Sequence, residues 1–373
     1  MPNRTLVLIL LACLMTHADA SDSLPDSIQS SISEMVHQGI SDGQMAGAVV
    51  LIASQENILF HQAYGHRLID SSKLPMELDT VFDLASITKP VATAMSVMHL
   101  VQQGKIDLDQ PVSMYLPNFT GDKKELITVS ELLLHTGGLI PDNSLNDYLN
   151  GPSEAWMKIC ELNISASRGE RFMYSDVGYI VLGKLVEKVS GQPLNQFALE
   201  NLFKPLGMRE TMFLPQESLR LRSAATEKRD GQWMQGEVHD PRAYLLEGVA
   251  GHAGLFSTAK DLARFGQSML GKGRNHPNVM NAQTFQTMTI PRQTPRGTRT
   301  YGWDHQSPYS GNRGTSLSES AFGHGGFTGT VLWIDPGKNR VIIFLSSRLH
   351  PDGKGSVNAI AGKIATLIGQ HAQ

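Results

Sequence analysis

The chain has 373 residues, 41% of them hydrophobic and 18% charged, enough apolar material for one large folded domain or two smaller ones. Its formal net charge of −3 gives no basic field, so nucleic-acid or anionic-membrane binding is not a leading function. The 13 histidines are scattered rather than set at metal-ligand spacing. At the N-terminus, Arg4 precedes an apolar run from Leu6 to Met15 and an A-x-A end at Ala18-Asp19-Ala20. That run is too short for a bilayer span and reads as a secretory signal over residues 1–20, so a mature chain starting near Ser21 in the periplasm is expected. Leu10-Leu11-Ala12-Cys13 is a looser lipoprotein box, with Cys13 as the lipidated residue, but the segment before it is very short. Cleavage behind Ala20 leaves Cys160 as the sole cysteine, which excludes an intrachain disulfide.

In chain order, Pro25 to Ile40 has helical apolar spacing through Ile28, Ile32, Met35 and Val36. Ala46 to Ala53 and Ile58 to Gly65 read as two strands of a hairpin. A helical middle follows, with candidates at Ser86–Gln103, Val129–Leu134, Ser153–Glu161, Val177–Val189, Leu194–Leu202 and Ala259–Leu270. Strands return at Thr328–Ile334 and Arg340–Ser346, around the turn Asp335-Pro336-Gly337-Lys338-Asn339, and a last helix covers Val357 to Ile368. Strands at both ends around a helical middle predict an α+β fold. One antiparallel sheet is flanked by helices, beside a mainly helical lobe, with the functional site at the seam.

Three short motifs carry chemistry. Ser86-Ile87-Thr88-Lys89 is an S-x-x-K in which a helical turn brings a lysine amine to a serine hydroxyl, itself a weak nucleophile without a base. Ser257-Thr258-Ala259-Lys260 repeats the spelling, but Thr258 with Asp261 reads there as a helix cap. Tyr174-Ser175-Asp176 supplies a phenol that can exchange a proton, and Tyr148-Leu149-Asn150 is a rival in a polar stretch without comparable flanks. His324-Gly325-Gly326 is read as entering the strand from Thr328, where glycines let a ligand approach the backbone. His135-Thr136-Gly137 and His252-Ala253-Gly254 share its spelling in loop settings.

Taken in order, these motifs resemble the S-x-x-K, Y-x-N and [KH]-x-G set of class C β-lactamases, low-molecular-mass penicillin-binding proteins and related esterases. The likeness runs from about Ser41 to Ser347 and includes Phe82-Asp83-Leu84-Ala85, Leu132-Leu133-Leu134-His135-Thr136-Gly137-Gly138-Leu139 and Gly251-His252-Ala253-Gly254-Leu255-Phe256-Ser257-Thr258. It implies a β-lactamase/transpeptidase-like domain over residues 21–373, its sheet lobe from 21–80 and 300–373 and its helical lobe from 81–299. It further implies that Ser86 is acylated by a β-lactam or D-alanyl amide, with Lys89 and Tyr174 sharing the proton transfers. The amides of Ser86 and Phe327 would form the oxyanion hole, and His324 would face the substrate carboxylate. Two departures stand out. Asp176 replaces the usual Asn, and Gly325 replaces the usual Thr.

The resemblance points first to β-lactam hydrolysis. D,D-carboxypeptidase, carboxylesterase and a penicillin-binding sensor that never turns over are the alternatives. No cofactor is expected. A metal near His239, Asp240 and His252 is the rival, at a spacing that fits no standard ligand pattern. The substrate is expected to be a small β-lactam or a peptidoglycan peptide, with no nucleic acid and no membrane span.

Overall fold

A computed structural model describes residues 23–270 and 279–372. The signal segment and Cys13 therefore lie outside the described residues. The two ends of the chain build one nine-stranded antiparallel sheet. Its spatial order is Lys73–Pro75, Ile58–Ile69, Gly47–Ala53, Arg340–Ser346, Thr330–Asp335, Phe322–Gly326, Asp304–Gln306, Gly297–Arg299 and Arg292–Thr294. The central strands are unbroken apolar runs because both faces are covered. In Gly47–Ala53, Val49, Leu51 and Ala53 face the core shared with the helical middle. Ala48, Val50 and Ile52 point the other way, into a second core.

That second core is closed by the two terminal helices. Asp26–Ser41 contributes Ile28, Ile32 and Val36, while Asn358–His371 contributes Ala361, Ile364, Ala365 and Ile368. Burial of each large branched side chain stabilises the fold by ~1.5–3 kcal/mol. On the opposite face, Gly266 of the helix Ala259–Met269 lies against Val341, where a Cβ would come within 2.4 Å of a Val341 methyl. Only glycine lets helix and sheet meet there.

Several elements depart from the sequence expectation. The sheet takes in Arg292–Thr294 and Gly297–Arg299, short strands rich in Arg and Thr that lie before residue 300 and show no apolar alternation. His324, Gly325 and Gly326 do not enter the following strand. They belong to their own strand, Phe322–Gly326, which turns at Gly326–Gly329 into Thr330–Asp335. Glycine's low strand propensity hid it. The single helix expected over Ser86–Gln103 is three pieces: a 3₁₀ turn at Ala85–Ile87, a π-helical stretch at Lys89–Ala94 and an α-helix at Met95–Gln102. Pro90, which has no N–H to give, sits in the first turn of the π stretch.

The second S-x-x-K is structural. Thr258 caps the helix Ala259–Met269 by accepting the Asp261 amide at 3.3 Å, Ser257 shares a hydrogen bond with Thr211 at 2.7 Å, and Lys260 is exposed. Thr258→Ala is expected to cost about 0.5–2 kcal/mol in urea denaturation, the usual loss for a removed cap, and to leave penicillin labelling intact. Loss of labelling in a folded variant would return this motif to the list of sites.

Candidate active site

The nucleophile turn is held in a conformation its residues do not favour. Ala85, just before Ser86, has φ +44°, a left-handed conformation costing a non-glycine residue of order 1–3 kcal/mol. The surroundings over-determine it. Buried Asp83 accepts the Ala85 amide at 2.8 Å and the His239 amide at 2.7 Å, Thr328 donates to the Asp83 carbonyl at 2.7 Å, and Thr330 donates to the Leu84 carbonyl at 3.2 Å. Burial pushes the Asp83 carboxyl upward, and its two amide donors oppose that rise. Gly326 completes the clamp, since a Cβ there would lie 2.4 Å from the Leu84 carbonyl. Asp83 appeared in the sequence only as a flank of the serine.

Lys89 is fully buried and its ammonium meets three acceptors: Ser86 Oγ at 3.0 Å, the His252 carbonyl at 3.1 Å and Asp176 Oδ1 at 2.7 Å. The first two are hydrogen bonds and the third is an ion pair. Burial alone would lower this lysine's pKa. The Asp176 carboxylate outweighs that effect, with Tyr174 adding to it, and the net shift is upward. The His252 carbonyl is fixed because Thr93 donates to the neighbouring Gly251 carbonyl at 2.7 Å. Gly251 in turn packs so tightly on the Tyr179 carbonyl that no Cβ fits. A main-chain partner of Lys89 has no side-chain signature by which the sequence could reveal it.

Tyr174 faces the same pair. Lys89 Nζ lies 4.9 Å from its ring centroid, and its buried hydroxyl, beside Ser86 and Lys89, makes no hydrogen bond of good geometry in the resting site. Burial raises its pKa, and Lys89 partly opposes the rise. The ring is wedged between two others, stacked on His135 at 4.4 Å and on Tyr309 at 4.8 Å. His135 accepts the Ser175 amide through Nδ1 at 3.0 Å, so it positions the Tyr174 segment. Tyr148, the rival, is buried and bonded to Asn143 at 2.6 Å, a packing role.

His324 also lies at the site, its ring 6.0 Å from that of Tyr174. Burial, reinforced by the charges of Arg299 and Lys89, holds its pKa well below the ordinary histidine value. Its Nδ1 is 2.8 Å from the Gly325 carbonyl, which can only accept. The ring is therefore a neutral Nδ1–H imidazole with Nε2 left as an acceptor. Gly325 beside it brings no hydroxyl to the site. Phe327 follows the strand at the mouth of the site, its ring 58% exposed.

Two cavities meet at Ser86, Tyr174 and Phe327. The larger, about 730 Å³, runs past Asp176, Asp142, Asp240, His252 and Phe172 to Arg296. The smaller, about 370 Å³, runs along His324 and Gly325 to the start of the helix Asn358–His371. Of the three residues proposed as a metal alternative, Asp240 and His252 are 2.9 Å apart, but His239 pairs with Glu227 at 2.9 Å. The third group near Asp240 and His252 is Asp176, with ligand atoms of all three within 4.8 Å of one another. Each already has a protein partner, Lys89 for Asp176 and each other for Asp240 and His252.

A serine beside a buried lysine and a tyrosine lies where an antiparallel sheet meets a helical lobe, the architecture of the transpeptidase-type fold. The chain belongs to the β-lactamase family of serine hydrolases, whose pattern it matches over residues 32–366. It is 35% identical over 357 residues to the N-acetylmuramyl-L-alanine amidase of Bacillus subtilis (strain 168), covering 86% of this chain and 80% of that one. It is 32% identical over 339 residues to a candidate D-alanyl-D-alanine carboxypeptidase of Escherichia coli (strain K12), covering 81% of this chain and 78% of that one. A penicillin-binding protein homologue from Caulobacter crescentus shares the fold at TM-score 0.73 and 19% identity, covering 92% of this chain and 97% of that one.

Asp176→Asn removes the carboxylate that keeps Lys89 charged. The lysine pKa then falls, so the neutral amine is present from lower pH. The rise of kcat/KM with pH for penicillin is expected to move down by about 1–3 pH units, with a higher rate near neutrality. An unchanged profile, with equal or lower activity on every β-lactam tried, would remove Asp176 from the proton chemistry of Lys89.

Proposed function

We propose that this chain is an exported serine hydrolase that opens an amide bond of a peptidoglycan-derived peptide through an acyl-Ser86 intermediate. Ser86 Oγ bonds to the amide carbonyl carbon while the neutral Tyr174 hydroxyl takes the serine proton and hands its own to the amide nitrogen, and the C–N bond then breaks to release the amine. Water repeats the addition and releases the acid and free Ser86. The observation that carries the reading is the buried Lys89 ammonium, hydrogen-bonded to Ser86 Oγ and the His252 carbonyl and ion-paired with Asp176. Such a charge stabilises an alkoxide forming on Ser86 and leaves Tyr174 as the mobile proton carrier.

Cell-wall peptides are favoured over β-lactams as the turned-over substrate on two grounds. The similar proteins of B. subtilis and E. coli carry cell-wall names. A lysine held charged is also a weak base for the water that must clear a penicilloyl ester. β-Lactams then acylate Ser86 and leave slowly. A second reading has its own support. The 730 Å³ cavity on the Asp176 side, walled by Phe172, Tyr309, Asp142 and Arg242, is large enough for a sugar. A muramyl–L-alanine amide would place its sugar there.

Incubation with a fluorescent penicillin and with purified muropeptides, followed by intact-mass and fragment analysis, tests both. Slow covalent labelling that Ser86→Ala abolishes is expected, together with release of D-alanine. Separation of sugar from peptide in place of D-alanine release selects the second reading. Labelling retained in the Ser86→Ala protein, or muropeptides left whole, overturns the proposal.

A further inference from the structure

Tyr174 is the proton carrier of the acyl-enzyme cycle, yet its hydroxyl has no hydrogen bond of good geometry to fix it. Its ring is held by its faces instead. His135 covers the inner face at 4.4 Å and 27°, and is itself anchored by the Ser175 amide at 3.0 Å. The outer face is covered by Tyr309 at 4.8 Å and 29°. Phe172 meets the Tyr309 ring edge-on, at 6.0 Å and 71°. Tyr309 lines both cavities, as Ser86 and Tyr174 do, so it stands where the substrate must pass.

At 53% exposed, Tyr309 adds little to the core, but the turn that carries it is built from buried groups. Asp304, at the start of the strand Asp304–Gln306, accepts the Ser307 hydroxyl on Oδ1 at 2.5 Å and the Ser310 hydroxyl on Oδ2 at 2.8 Å. Fully buried Arg299 donates to the same Oδ1 at 3.0 Å and holds the carboxylate in place. The Ser307 hydroxyl accepts the Tyr309 amide at 3.1 Å, and the Ser310 hydroxyl accepts the Ser307 amide at 2.9 Å. Each hydroxyl thus ties a main-chain amide to one carboxylate, which fixes the turn on both sides of Tyr309. A buried ion pair adds little stability of its own. What this one secures is the place of the turn.

We infer that Tyr309 is a positioning residue for the proton transfers at Ser86: its ring, carried on the turn that Asp304 holds, keeps the Tyr174 phenol aligned and closes it from water. The inference rests on the acyl-enzyme reading of Ser86, with Tyr174 as the carrier. Without that cover the phenol can tilt, and water reaching it favours the phenolate. Both changes slow a relay in which a neutral hydroxyl takes one proton and hands on another.

The test follows acylation of Ser86 by a fluorescent penicillin in stopped flow, which separates the binding constant from the acylation rate constant. In Tyr309→Ala the rate constant is expected to fall about 10–100-fold, with little change in the binding constant. The basic limb of its pH profile is expected to move down by about one pH unit, because a less buried phenol ionises sooner. Lys89, Asp176, His135 and His324, the groups facing that ring, are unchanged in the variant, so the shift reads the lost cover. Tyr309→Phe keeps the ring and recovers most of the rate. Ultraviolet difference absorbance, taken against the same proteins carrying Tyr174→Phe, reads the ionisation of this phenol directly. If circular dichroism shows that Ala disturbs the fold, Tyr309→Leu takes its place. A wild-type chain that is never acylated sinks the hydrolase reading, and the absorbance shift then decides alone whether Tyr309 shields the phenol. A weaker binding constant at an unchanged rate would mean that Tyr309 only contacts substrate, and overturns the inference. So does a phenol that ionises at the same pH with and without the Tyr309 ring, or a Tyr309→Phe protein as slow as Tyr309→Ala.

Discussion

A fully buried ammonium is the constraint around which this site is arranged. Lys89 cannot remain charged away from water unless its donors are all satisfied, and the three acceptors come from three distant parts of the chain. Ser86 arrives from the nucleophile turn, Asp176 from the start of the helix Asp176–Ser190, and the His252 carbonyl from a glycine-rich loop. Holding one charge thus ties the helical segments to each other. The strained φ at Ala85 follows from the same need, because Ser86 must face Lys89 while its flanks remain pinned to Asp83, Thr328 and Thr330.

The motifs were legible because the chemistry they encode is local. A serine and a lysine three residues apart meet in any helical turn, whereas Tyr174 and Asp176 were joined to that pair only through the family resemblance. The sheet was legible for a related reason: strands covered on both faces leave unbroken apolar runs, as in Gly47–Ala53 and Arg340–Ser346. What escaped was long-range or carried by the main chain. The His252 carbonyl has no side-chain signature, and the support of Asp83 for the Ala85 and His239 amides joins residues 156 apart on its longer arm. The strand Phe322–Gly326 is three-fifths glycine, so its pairing is decided by its neighbours and not by its own propensity.

Two buried cations set the state of the ring at position 324. Arg299 is fully buried, and only its Nη1 has a partner, Asp304. Its charge and that of Lys89 face His324, so protonating that ring would add a third buried cation. Arg348, on the return from the last strand to the last helix, is held by carbonyls rather than by carboxylates.

The two cavities also divide the charge of the site. On the Asp176 side, Asp142, Asp176 and Asp240 line the wall together with Arg242 and Arg296; on the His324 side the one acid among the described lining residues is Asp304, whose oxygens are taken by Arg299, Ser307 and Ser310. Asp176 is itself paired with Lys89, so its charge acts first on that ammonium. It raises the lysine's pKa and leaves less of it as free amine. An Asn at that position would not supply that charge, so the balance between a charged lysine and a basic one is set by this single side chain.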